Sequence, residues 1–152
     1  ARVGEGTVHR LWEPLEEKQN PSSPYGAKFS VPYCIAVGLI DGQAGLKQFT
    51  EKRLQDPSLL NLASKVSYEI NPDDEYPKNY TGDITVFNKN GTSISSNQNC
   101  LRGGKLSPLK EEEVYKKFEE NLKFSNVKSD EIKKLSDKIN TIFNIKNLED
   151  IG

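Results

Sequence analysis

Apolar and polar residues change their spacing several times along the chain, and each spacing predicts a different element. At residues 7–12 the two kinds of residue roughly alternate, which is typical of a strand. The stretch 14–24 that follows is polar and contains three prolines. Proline lacks the N–H that regular elements use, so this stretch predicts an irregular loop.

The first long apolar run, residues 31–40, predicts a helix. Ser30 can cap this helix, and Pro32 falls in the first turn, where a missing N–H does no harm. Asp41-Gly42 ends it. Because the run is apolar almost all round, we expect it to be buried on several sides.

Two short helices and three strands are predicted in the next part of the chain. The helices cover about 46–54 and 57–63, and Asp56 caps the second. Alternating apolar residues mark three strands, at 66–70, 84–87 and 92–95. Residues 88–91 predict a hairpin turn, because Asn and Gly tolerate the positive φ that such turns need.

The last part of the chain predicts two amphipathic helices. The first opens at Ser107-Pro108, and Ser129 caps the second. The apolar stripe of the second comprises Ile132, Leu135, Ile139, Ile142 and Phe143. The sum is an α+β fold: an antiparallel sheet with helices packed on one side and a C-terminal amphipathic helical tail. We place the boundary between an α+β domain of residues 1–124 and a tail of residues 125–152.

Composition narrows the classes of function. The net charge is −1, from 21 Lys+Arg and 22 Asp+Glu, whereas nucleic-acid-binding proteins usually carry a basic surplus. No run of about twenty apolar residues predicts a membrane span, and we expect a cytoplasmic protein. Two cysteines and one histidine are too few for an iron–sulfur cluster or a closed structural zinc site. The absence of methionine and the structured-looking start indicate a part of a longer protein.

Candidate chemistry is sparse, because no complete catalytic set is visible. At residues 27–30, Lys28, the Ser30 hydroxyl and a helix N-terminus could together bind a carboxylate. Alternatively, Ser30 only caps the helix and Lys28 is solvated. The segment around Arg102 could hold an anion through main-chain N–H groups, or it could be a flexible corner. His9, the sole imidazole, fits a packing or surface role better than an acid–base role.

Several segments, taken in order, resemble the MmgE/PrpD family. They are residues 27–33, Asp41-Gly42, Asp56-Pro57, residues 62–66, residues 83–91 and Pro108-Leu109. The resemblance covers about residues 7–124. This family includes 2-methylcitrate dehydratase, cis-aconitate decarboxylase and iminodisuccinate epimerase.

The resemblance implies a cofactor-independent, metal-free lyase acting on small di- or tricarboxylic acids, with 2-methylcitrate dehydration as the leading reaction. This chain would be its C-terminal lid part, inactive alone, beside an N-terminal helical domain that carries the catalytic residues. The whole enzyme would be a homodimer. Only Lys28 and Ser30 carry over from the family as substrate-binding residues. Arg102 is also predicted to bind the substrate, but the segment Arg102-Gly103-Gly104 departs from the histidine-containing version of several members, which leaves the substrate open. The alternative is a non-catalytic domain that binds a small ligand or a partner.

Overall fold

The computed structural model describes residues 1–141 of the chain. It confirms the α+β class, with helices and a four-stranded sheet. Contacts divide the chain into two compact units, Ala1–Leu109 and Lys110–Gly152. The predicted domain boundary at residue 124 stays a prediction. Ile142 and Phe143 of the predicted apolar stripe lie outside the described residues.

The sheet is mixed, with both antiparallel and parallel pairs of strands. Its strands, in the spatial order β2-β1-β3-β4, are β1 (Arg2–Val3), β2 (Glu69–Ile70), β3 (Gly82–Phe87) and β4 (Ser93–Gln98). The predicted antiparallel pairing is confirmed for β1–β3 and β3–β4, whereas β1 and β2 pair in parallel. The difference arises because β1, a strand of two residues, is too short to leave a periodic pattern in the sequence.

The hairpin formed by β3 and β4 is confirmed. Its strands pair in an antiparallel register from Gly82 opposite Gln98 to Phe87 opposite Ser93. In the turn, the Asn88 N–H donates to the Thr92 carbonyl oxygen at 2.8 Å. Gly91 has a φ of 83°, the left-handed conformation that glycine adopts without strain. The predicted strand at 66–70 is shorter than expected, since only β2 pairs.

The strand predicted at residues 7–12 is wrong, because this segment forms helix α1 (Glu5–Leu11). Val8, Leu11 and Trp12 are spaced three and four residues apart, so they share one face of a helix. Trp12 is only 2% exposed, and its ring lies 5.0 Å from the Tyr68 ring between centroids. Burial of this face outweighs the rough alternation of the sequence.

The loop predicted at 14–24 is also partly wrong. It contains helix α2 (Leu15–Gln19), and helix α3 (Pro24–Ala27) starts at its last residue. Pro14 precedes the first residue of α2, and Pro24 is the first residue of α3. Proline is tolerated at both places because the N–H groups there have no intrahelical partner. These prolines therefore mark helix starts.

Helix α4 (Val31–Asp41) lies at the centre of the first unit and begins and ends as predicted. The Ser30 side chain caps it, and Gly42 ends it with a φ of 67°. Its burial is less complete than predicted, since Leu39 is 50% and Ile40 43% exposed. The core around α4 comprises Ala27, Tyr33, Ala36, Val37, Leu54, Leu59 and Ala63.

Short helices complete this core. The helix predicted at 46–54 is instead a single 3-10 turn, Leu46–Gln48, followed by α5 (Glu51–Leu54). The predicted helix capped by Asp56 is confirmed as α6 (Pro57–Ala63). Arg53 ties these elements together by ion pairs with Asp41, at 2.7 Å, and with Asp56.

The second unit contains helices α7 (Glu111–Phe124) and α8 (Ser129–Thr141), which pack on each other. Helix α7 starts later than the predicted Ser107-Pro108, because Ser107 is held in a turn: its N–H donates to the Gly104 carbonyl oxygen. Within residues 1–141, no helix has both the length and the apolar character needed to cross a membrane.

Candidate functional site

Ser30 lies in the corner between α3 and α4 and is only 1% exposed. Its hydroxyl accepts a hydrogen bond from the Tyr33 N–H at 3.1 Å and donates one to the Lys18 carbonyl oxygen. A serine hydroxyl has one donor hydrogen, and here the fold uses it. The geometry therefore accounts for Ser30 as a buried cap, and its binding to a substrate stays a prediction.

The start of α4 offers fewer free donors than a helix usually does. Pro32 has no N–H, and the Tyr33 N–H is taken by Ser30. The Cys34 N–H donates to the Ser30 carbonyl oxygen at 3.0 Å. Within the described part of the chain, the Val31 N–H is the donor of this first turn that stays without a partner. An anion at this corner would meet one N–H group and the positive end of the helix dipole.

Lys28, three residues before the first residue of α4, has an exposed side chain. Its backbone N–H donates to the Tyr25 carbonyl oxygen at 3.1 Å. Its ammonium group makes no hydrogen bond or ion pair to any residue that the structure describes. Lys28 therefore places an uncompensated positive charge beside the start of α4.

Two further cations lie at this corner, and the sequence analysis did not identify either. Lys18 donates through Nζ to the carbonyl oxygens of Arg10, at 2.7 Å, and Phe29, at 3.0 Å. The Arg10 guanidinium carbon lies 5.3 Å from the centroid of the Phe29 ring, a distance typical of a cation–π contact. We call Arg10, Lys18, Lys28 and Phe29 the basic corner. None of its three cations forms an ion pair with a carboxylate of residues 1–141.

Arg102, the third predicted binding residue, lies in the loop after β4 with an exposed side chain. The two glycines that follow use their N–H groups to close turns. Gly103 donates to the Ser107 carbonyl oxygen at 2.6 Å, and Gly104 donates to the Leu101 carbonyl oxygen at 3.0 Å. These N–H groups are thus engaged, and substrate binding by the Arg102 side chain stays a prediction.

A pocket of about 190 Å³ lies beside α4. Its walls are mainly apolar and aromatic and include Trp12, Val31, Ile35, Tyr76, Tyr80 and Ile84. Asp74 and Asp83 also line it. Asp74 accepts hydrogen bonds from the Tyr76 N–H at 2.9 Å and the Thr81 hydroxyl at 2.6 Å. Arg2 lines the pocket too, and its Nη1 lies 3.9 Å from Asp83 Oδ2, so the charge of this pocket is mixed. The cations of the basic corner pair with no carboxylate of residues 1–141, so that corner suits a carboxylic acid better.

Acid–base groups suited to neutral pH are scarce in the described residues. Burial raises the pKa of the Cys34 thiol to about 11. Burial likewise raises the pKa of Tyr33 to about 12, and its hydroxyl donates to the Gln48 carbonyl oxygen at 2.8 Å. His9 lies exposed in the last turn of α1. Among residues 1–141, no three His, Cys, Asp or Glu side chains are grouped as a metal ion requires.

Comparison with known proteins gives consistent results. Residues 2–141 match the model of the MmgE/PrpD C-terminal domain. The chain is 30% identical over 134 residues to human (Homo sapiens) cis-aconitate decarboxylase, which covers 86% of this chain and 26% of that protein. It is 27% identical over 104 residues to the mouse (Mus musculus) cis-aconitate decarboxylase. That match covers 66% of this chain and 21% of the mouse protein. The chain thus spans about a quarter of the length of these curated relatives. Because the family model matches nearly all of the described chain, the chain belongs to the MmgE/PrpD family as its C-terminal domain.

Proposed function

We propose that this chain is the C-terminal part of a lyase that acts on a small di- or tricarboxylic acid. The observation that carries the proposal is the match of residues 2–141 to the MmgE/PrpD C-terminal domain. Two relatives named cis-aconitate decarboxylase support it. Because the chain spans about a quarter of their length, most of the enzyme would lie outside this chain.

The basic corner supports a substrate-binding role more than an acid–base role. Loss of carbon dioxide or water next to a carboxylate requires proton transfer and stabilisation of negative charge. The described residues offer cations that can stabilise negative charge. The groups that transfer protons would come from the rest of the enzyme. Lys28 would hold one substrate carboxylate by a charge-assisted hydrogen bond. The Val31 N–H and the positive end of α4 would add to this attraction.

Two reactions deserve testing first, and both start from tricarboxylates. Decarboxylation of cis-aconitate is suggested by the names of the two relatives. Dehydration of 2-methylcitrate, a hydro-lyase reaction, is the one that the family resemblance suggested. Both substrates carry several carboxylates, which the cations of the basic corner would attract equally. The basic corner therefore does not favour one of the two reactions over the other.

The test uses the full-length protein with each substrate in turn. We expect Lys28→Ala to lower kcat/KM by about ten- to a hundred-fold, since a charge-assisted hydrogen bond is worth roughly 1.5–3 kcal/mol. The melting temperature should stay the same, because the exposed Lys28 side chain holds no partner in the described structure. Lys52→Ala is the matched control, an exposed lysine on α5.

Two results would contradict the proposal. Absence of turnover on any di- or tricarboxylic acid by the full-length protein would favour the alternative of a non-catalytic binding domain. Equal kcat/KM values for Lys28→Ala and Lys52→Ala would place the substrate away from the basic corner.

A further inference from the structure

We infer that the pocket of about 190 Å³ beside α4 is a binding site for a neutral, single-ring apolar molecule. The inference goes beyond the proposed function, because none of the four residues of the basic corner lines this pocket. The observations that carry it are the volume of the pocket, its apolar walls and the pairing of the charged side chains that line it.

The aromatic walls of the pocket are held in place by packing. Trp12 is buried, and its ring packs against the Tyr68 ring at 5.0 Å between centroids. The Tyr76 and Tyr80 rings meet edge to face at 5.2 Å between centroids. The Tyr76 ring also lies against the backbone of Gly6, where an added Cβ would come within 2.7 Å of it. Because these walls are already ordered, less conformational entropy is lost when a ligand binds.

Arg2, the cation at the pocket, is already paired inside the fold. Its Nε lies 3.3 Å from Glu69 Oε1, and its Nη1 lies 3.9 Å from Asp83 Oδ2. Its Nη2 donates to Asn71 Oδ1 at 3.2 Å. The positive charge of Arg2 and the negative charge of Asp83 therefore offset each other at the wall of the pocket.

The remaining polar side chains of the wall also have partners. Asp74 accepts the Tyr76 N–H through Oδ1 at 2.9 Å and the Thr81 hydroxyl through Oδ2 at 2.6 Å. The Thr7 hydroxyl donates to the Gly4 carbonyl oxygen at 2.8 Å. Both oxygens of the Asp74 carboxylate and both hydroxyl hydrogens are thus engaged within the fold.

The volume and the paired charges together define the class of ligand. An apolar cavity of about 150 Å³ in a protein interior holds benzene. A pocket of about 190 Å³ therefore suits one ring with one or two further heavy atoms. A charged ligand would give up its hydration to meet groups that already have partners, which is unfavourable. A neutral ring loses little hydration and gains contact with the aromatic walls.

The test compares benzyl alcohol with benzylammonium, a cation of the same size, by ligand-observed NMR with the full-length protein. We expect benzyl alcohol to bind with a dissociation constant of about 0.1–1 mM. Benzylammonium should bind at least about ten-fold more weakly, because it must give up its hydration. Ile35→Trp, which places a ring in the pocket from α4, should abolish binding of benzyl alcohol. Leu39→Trp is the matched control, one turn later on α4 and outside the pocket.

A second variant tests the pairing of charges without filling the pocket. Arg2→Gln leaves Asp83 without its ion-pair partner. It should strengthen benzylammonium binding by about two- to five-fold, the range expected of one partly exposed ion pair. Benzyl alcohol should bind this variant as it binds the parent. Lys28→Ala should change neither affinity, because Lys28 does not line the pocket.

Three results would overturn the inference. Tighter binding of benzylammonium than of benzyl alcohol to the parent would make the pocket a cation site. Binding of benzyl alcohol that survives Ile35→Trp would place this ligand elsewhere. Lack of benzyl alcohol binding to the folded full-length protein would show that the pocket takes no such ligand. If Ile35→Trp does not fold, the titrations of the parent and of Arg2→Gln decide, because neither depends on that variant.

Discussion

Replacement of Ser30 by alanine separates a structural from a substrate-binding role for the residue at the start of α4. The substitution removes a hydroxyl that is only 1% exposed and that serves two backbone groups. The Tyr33 N–H would lose its acceptor at 3.1 Å, and the Lys18 carbonyl would lose its donor. No water can easily replace the hydroxyl at so enclosed a position.

The cost follows from these two losses. Removal of a serine cap costs about 1 kcal/mol of stability. The half-buried Lys18 carbonyl, left without its donor, adds about 1–2 kcal/mol. Ser30→Ala should therefore lower the free energy of unfolding by about 2–3 kcal/mol. For a unit of roughly a hundred residues, at about 4 °C per kcal/mol, the melting temperature falls by about 8–12 °C.

Urea unfolding and thermal melting, each followed by circular dichroism, measure this loss. Thr50→Ala is the control, because the Thr50 hydroxyl caps α5 through a single bond to the Arg53 N–H at 3.3 Å. It should cost about 1 kcal/mol. Turnover by the full-length Ser30→Ala enzyme below its melting temperature should stay close to that of the parent. Unchanged stability with lost turnover would refute this reasoning and make Ser30 a substrate ligand.

Two further predictions concern close packing and thiol reactivity. Gly4→Ala should destabilise the fold by about 1–3 kcal/mol in urea unfolding, because the new Cβ would lie 2.3 Å from Asp74 Oδ1. Gly38→Ala on α4, where a Cβ meets nothing within 4 Å, should instead stabilise it by about 0.5–1 kcal/mol, and equal effects would contradict the packing argument. The Cys34 thiol, with a pKa of about 11, should be roughly 0.1% thiolate at pH 8, against about a quarter for an ordinary cysteine. In a Cys100→Ser variant, iodoacetamide should therefore modify Cys34 more than a hundred-fold slower than a cysteine peptide, and comparable rates would show that the thiol is accessible.

Elements with local signals could be predicted from the sequence. Helix α4 has its cap, its first-turn proline and its terminal glycine within thirteen residues, and each signal acts on the backbone next to it. The signal for the hairpin turn, the Asn and Gly residues at 88–91, likewise acts on the backbone next to it. By contrast, β1 exists because Glu69, Ile70 and Asp83 supply its partners from far along the chain. The pattern within two residues holds no information about such partners.

The candidate site was predicted in part, for a similar reason. Lys28 lies two residues before Ser30, the cap of α4, so a local signal pointed to it. Arg10 and Lys18 lie in segments that were assigned to a strand and a loop. Because residues 5–11 and 15–19 form helices α1 and α2, the Arg10 guanidinium group and the Lys18 ammonium group both reach Phe29, which is eleven residues beyond Lys18.

The mixed sheet has a consequence for the order in which the fold assembles. The β3–β4 hairpin closes a short loop, since its strands are joined by the turn at 88–91. Strand β1 lies between β2 and β3, although more than sixty residues separate it from either partner. Closing so long a loop costs more chain entropy than closing a hairpin, and contacts distant in sequence form slowly. The hairpin can therefore be present early, whereas the middle of the sheet is completed only when the start of the chain returns to residues 69–83.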